Sequence, residues 1–209
     1  MTLRFTATAA NGDDMTAVLN EFAASIGLDR VAPGRYSFAL VLGLFGGSKS
    51  GHQSSAKIMR EIEALEGIGR PSQLKPPSQF RRPPLEGLWH KHYLEDGLRA
   101  TAINSLKGLH IYGSPLFRQR MQEAQDAGEV RYVTQEDVAS LAHDIAHANW
   151  QRMASAAELT GEWIVYAQHE GANYYLCLGR HDSGDDYLRS QIDAICCQEF
   201  PFLTTLLPS

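Results

Sequence analysis

The stretch "LWHKHY", Leu88 to Tyr93, sets His90 and His92 either side of Lys91 and encloses all three between Trp89 and Tyr93. On a helix the two imidazoles diverge by about 200°, whereas in extended backbone they point the same way. In either case Lys91, together with Lys75, Arg81 and Arg82 from the preceding segment, brings positive charge near an imidazole. Positive neighbours favour the neutral ring, the form a general base needs, while a protonated partner serves as acid. Acid–base histidines amid Lys and Arg suit metal-independent cleavage of a phosphodiester. The ribose 2′-OH is deprotonated, and cations stabilise the pentacoordinate phosphorane. Trp89, Tyr93 and Phe80 offer rings on which bases can stack. The expectation is a catalytic set of His90, His92, Lys91 and Lys75, with Arg81, Arg82, Trp89, Tyr93 and Phe80 holding substrate. The competing reading makes Trp89 and Tyr93 core anchors and the histidines ordinary hydrogen-bonding residues.

A second pair of histidines, His143 and His147 in "HDIAH", stands four apart and shares one helix face. Such a pair can chelate zinc, and His90 and His92 are the available further ligands. A metalloprotease helix needs H-E-x-x-H, and here Asp144 follows the first histidine. A polar helix face is the simpler reading. "GLFGGSKS", Gly43 to Ser50, approaches a phosphate-binding loop but has Ser48 where the glycine before Lys49 is required. It reads as a Gly-rich turn between an apolar segment and a helix.

Charge is distributed unevenly. The net charge of −5 hides a segment, residues 70–120, with nine Lys and Arg against three Asp and Glu; residues 121–209 hold four against fourteen. That basic segment is a candidate stripe for an anionic partner, unless the acidic part folds over it. No apolar run approaches the roughly 18 residues of a membrane span, so no membrane partner is expected. Three cysteines, two of them adjacent (Cys196 and Cys197), form no even disulfide framework, and the N-terminus lacks a secretory pattern. A cytoplasmic protein is expected.

The elements that must position these residues can be read in part. Met15, Val18, Leu19, Phe22 and Ile26 recur at helical spacing behind Asp13 and Asp14, and a second helix covers Ser54 to Leu65. "FALVLGLF", Phe38 to Phe45, reads as a buried strand or helix. Residues 69–84 carry five prolines, which exclude a helix and a central strand and leave an extended basic arm. From Leu85 to Leu106 the pattern reads as mostly helical. "GLHIYG" and "EVRYV" are short strand candidates. Ser114 and Pro115 open one helix, and Thr134 with Asp137 forms a capping box at the head of another that runs to about Leu159. "EWIVYAQH", "EGAN" and "YYLCLGRH" form a β-hairpin. It puts His169 near its turn and His181 near Glu162, so only one of them can face "LWHKHY". A closing helix spans about Asp185 to Cys197.

Helices, then an antiparallel sheet, then a closing helix make the chain α+β. A single domain is expected, with a helical layer at 1–69, the basic arm at 70–84 and an α+β core at 85–209. That order, with scattered His, Lys, Arg and Tyr and no metal motif, resembles the barnase–EndoU–colicin–RelE type of small bacterial ribonuclease over roughly residues 75–195. The resemblance implies a toxin-like ribonuclease that needs no cofactor, acts on RNA and can meet an acidic protein inhibitor. The enzyme alternative is a His-ligated, metal-dependent hydrolase using His143 and His147. The non-enzyme alternative is an interaction module whose basic stripe recognises an acidic protein partner.

Overall fold

The alternation of Trp89, Lys91 and Tyr93 with His90 and His92 suits a pleated strand, whose successive side chains leave opposite faces. A computed structural model describes residues 5–51, 53–95, 97–130, 132–180 and 182–208, the side chain of Arg99 apart. In it the edge strand β1 (Ser78–Gln79) pairs antiparallel with β2 (Trp89–Tyr93). β2 pairs with β3 (Glu162–His169), which turns back into β4 (Ala172–Gly179). The sheet order is β1-β2-β3-β4, an antiparallel meander, and the protein is α+β. Ala172 and Asn173 pair with His169 and Gln168, so the hairpin turn is only Glu170 and Gly171. Both have positive φ, 49° and 77°, the pair of left-handed residues that a two-residue turn of matching twist requires.

The chain forms two compact units, the first made of residues 1–72, 76–96 and 161–209. This unit holds the sheet. α1 (Thr16–Ser25), α2 (Leu28–Val31), α3 (Phe38–Ser50) and α4 (Ser55–Leu65) supply one face of its core. There Leu40, Leu44, Ile58 and Ile62 pack with Tyr93, Ile164, Tyr166 and Tyr175. On the other face Val165, Ala167 and Leu176 meet Leu188, Ile192 and Leu203 from the C-terminal helical segments. Each such fully buried side chain contributes about 1.5–3 kcal/mol relative to exposure. Just past the end of α4, the Glu66 carboxylate receives Arg35 Nη2 at 2.6 Å, the Tyr175 hydroxyl at 2.6 Å and Asn173 Nδ2 at 3.1 Å. Burial works to raise the Glu66 pKa, but these three hydrogen bonds outweigh it and hold the carboxyl below its ordinary value.

The second unit comprises residues 73–75 and 97–160. Its helices are α5 (Leu98–Tyr112), α6 (Pro115–Asp126), α7 (Gln135–His143) and α8 (Asn149–Ser155), the last two joined by a π-helical turn at Asp144–Ala148. Polar side chains hold its interior. Buried Asn104 donates to the Thr160 carbonyl at 2.8 Å, buried Asn149 donates to Gly113 O at 2.8 Å, and buried Asp144 accepts from the Phe117 N–H at 3.0 Å. The capping box is formed: the Thr134 hydroxyl accepts from Asp137 N–H, and the Asp137 carboxylate from Thr134 N–H.

Several local expectations change. The last five residues of "LWHKHY" form β2 and no helix, with Trp89 and Tyr93 on the strand face that packs into the core. "GLHIYG" continues α5 to Tyr112. Of "EVRYV", Arg131 lies outside the described residues, and the other four lie outside any strand, with Val130 and Tyr132 almost fully exposed. Phe38–Phe45 is helical, and Gly43–Ser50 forms the rest of α3 and no turn; Gly51, at φ 71°, ends it. Among the described residues no helix is long and apolar enough to cross a membrane.

Candidate functional site

β2 divides its residues between the two faces of the sheet. His90 and His92 share one face, their rings edge to face with centroids 5.5 Å apart. Trp163, which pairs with His92 across the β2–β3 ladder, brings its ring to 5.3 Å from His90. Phe80, just after β1, lies 4.7 Å from His90 and 5.6 Å from Trp163. Ser78 pairs with His90 in the β1–β2 ladder, and its exposed hydroxyl is 3.1 Å from His90 Nε2. The result is a partly buried imidazole, its Nδ1 enclosed, framed by two aromatic rings, a hydroxyl and a second imidazole.

The two histidines differ in access. His92 is buried, and its Nδ1 lies 2.7 Å from the Gly161 carbonyl oxygen. A carbonyl can only accept, so this short contact needs a proton on Nδ1; the Gly161 N–H approaches the same nitrogen at the longer distance of 3.4 Å. The approach depends on glycine, because a Cβ at residue 161 would stand 1.9 Å from the Tyr93 carbonyl oxygen. His90 is only partly buried. Arg81 and Arg82 are exposed and open the loop that follows Phe80. Phe80 itself is tied to Leu88 O through its N–H at 2.8 Å and to the Gly87 N–H at 3.3 Å.

Lys91, Tyr93 and Trp89 lie on the opposite face of the sheet. Lys91 points to the opposite face, where its buried Nζ donates to Ser72 Oγ at 2.8 Å and lies 3.3 Å from the Glu61 carboxylate of α4. Burial lowers its pKa, and the Glu61 charge only partly offsets this. Tyr93 is on that face too, buried, with its hydroxyl accepting from Gln53 Nε2 at 2.8 Å. Burial, then the Glu95 and Glu162 charges, push its pKa well above the ordinary tyrosine value. Trp89 stacks on Tyr166 at 6.4 Å within the same core. Of the three rings expected to stack on bases, only Phe80 shares the histidine face. Lys75 is exposed and belongs to the second unit, where its N–H bonds Leu159 O at 3.1 Å.

His143 and His147 are both exposed, with ring centroids 5.2 Å apart. Among the described residues no group of three or more His, Cys, Asp or Glu side chains is arranged to hold a metal ion. His169 stacks on Phe202 at 4.0 Å beside the hairpin turn, and His181 lies outside the described residues. Ser78, Gly161 and Trp163 are the site residues that sequence reasoning missed. Their roles come from strand register, and the one available signal was Trp163 at the head of the hairpin's first strand. No protein-family model, no curated protein and no solved structure matches this chain.

Proposed function

We propose that the protein binds single-stranded RNA and cleaves it without a metal ion, with His90 as the acid–base residue. The observation that carries this reading is the partly buried His90 ring, whose Nε2 faces the exposed Ser78 hydroxyl, set against Phe80, Trp163 and a second imidazole. His90 takes the proton of a ribose 2′-OH as the O2′–P bond forms. It returns that proton to the departing 5′ oxygen as the P–O5′ bond breaks, leaving a 2′,3′-cyclic phosphate and a 5′-OH. Arg81 and Arg82 stand exposed where a backbone phosphate can reach them, and the Phe80 and Trp163 rings offer faces for a base. His92, buried and fixed through Gly161, positions His90 and does not touch the phosphate. Lys91 and Tyr93 belong to the core beneath.

The test uses the full chain with an end-labelled single-stranded RNA in excess chelator. Fragments ending in 2′,3′-cyclic phosphate are expected, and a single 2′-deoxy substitution should block cleavage at that position. Intact RNA after prolonged incubation, or equal cleavage of DNA, would reject the proposal. An acidic protein partner would then account better for Arg81 and Arg82.

A further inference from the structure

We infer that His143 and His147 form a two-imidazole site for a divalent first-row transition metal ion such as zinc. The inference is independent of the RNA reading and rests on other residues. The local fold comes first. Between α7 and α8 the chain widens into a π turn, in which the Asn149 N–H bonds back to the Asp144 carbonyl. The turn's inner side is pinned by buried Asp144, whose carboxylate accepts the Phe117 N–H at 3.0 Å. With Asp144 held inward, His143 and His147 lie exposed. Wider winding also brings residues four apart closer to alignment along the axis than in an α-helix.

The spacing of the rings suits chelation. A zinc–imidazole bond of about 2.0–2.1 Å puts each ring centroid roughly 3.2 Å from the metal, and a tetrahedral angle then separates two centroids by about 5.2 Å. The observed separation is 5.2 Å. Among the described residues neither ring has a hydrogen bond or ion pair, so binding displaces no protein contact. Exposure leaves both rings accessible at no cost in core packing. Imidazole suits zinc, copper and nickel, with copper(II) the tightest of these at a given site. Since no third protein ligand joins the pair among the described residues, water fills the remaining positions. Affinity far below that of a four-ligand structural site follows.

The experiment titrates zinc chloride into chelator-stripped, tag-free full-length protein by calorimetry. One saturable ion per chain is expected. His143→Ala and His147→Ala should each weaken it by about tenfold or more, while His110→Ala, an exposed histidine on α5, and His90→Ala leave it unchanged. In the wild type, zinc should shift the ring resonances of His143 and His147 in a histidine-selective NMR spectrum, a readout that needs no variant to fold. Absence of saturable binding, unchanged affinity in both alanine variants, or zinc-shifted resonances confined to other histidines would overturn the inference.

Discussion

Lys91 and His92 are neighbours in the chain and end on opposite faces of one sheet. The Lys91 ammonium lies 3.3 Å from the Glu61 carboxylate, and His92 Nδ1 lies 2.7 Å from the Gly161 carbonyl oxygen. One residue of strand therefore separates a buried ion pair from an imidazole pair. The cation nearest the histidines in sequence is structural, and Arg81 and Arg82, in the loop after Phe80, are exposed.

Lys91→Met should consequently cost stability and not chemistry. It leaves the Glu61 carboxylate buried without its counter-charge, a loss of about 3–5 kcal/mol. Adding Glu61→Leu should recover most of that, because an apolar pair replaces two desolvated charges. Urea denaturation of the single and double variants measures both effects. Cleavage per folded molecule should match wild type in the double variant, and a large loss there would return Lys91 to the catalytic set.

Gly161→Ala tests how His92 is held. The added Cβ would lie 1.9 Å from the Tyr93 carbonyl oxygen, a backbone atom that cannot swing aside. Either the start of β3 moves away from β2 or the strands part, at a cost on the order of 3 kcal/mol. The His92 ring resonance and the rate of RNA cleavage should change together. A fully stable variant with an unmoved His92 resonance would contradict the assigned contact.

Acid sensitivity should trace in part to Glu66. Its carboxyl is held below the ordinary value of 4.5 by Arg35, Tyr175 and Asn173. A depressed folded-state pKa contributes stability that is fully present above the unfolded-state value and is lost as pH falls through the folded-state value. Wild-type protein should therefore lose stability on acidification below about pH 4.5. Glu66→Gln should be less stable at pH 7 and lose less between pH 7 and pH 3. Denaturation midpoints at several pH values measure this, and parallel profiles for the two proteins would remove Glu66 as a cause.

Legibility in the sequence followed the range of the forces involved. The capping box at Thr134 and Asp137 is a contact between residues three apart, and both of its hydrogen bonds form. The β3–β4 hairpin is equally local, with β-rich runs either side of a Glu–Gly turn. β2 was harder. Five residues of alternation at 89–93 were submerged in a longer stretch of helix-forming residues, and what makes them a strand is pairing with β3 some seventy residues later. "EVRYV" is the converse case, where β-forming side chains lie outside any strand and Val130 is fully exposed. In the site, His90 and His92 stand out by type, and extended backbone puts them on one face. Ser78, Trp163 and Gly161 join them only through register between strands distant in sequence. The separation of Lys91 from the imidazoles needed the strand assignment first.

The most direct measurement compares RNA binding and cleavage as a function of salt in three proteins: wild type, Arg81→Ala with Arg82→Ala, and His90→Ala. Each phosphate neutralised contributes a slope of about −0.7 in log affinity against log salt for a single strand. The double arginine variant should bind more weakly with a shallower slope. His90→Ala should bind RNA nearly as wild type does and form no cyclic phosphate product. Wild-type cleavage that persists in His90→Ala, or wild-type protein that neither binds nor cuts RNA at low salt, would contradict the account.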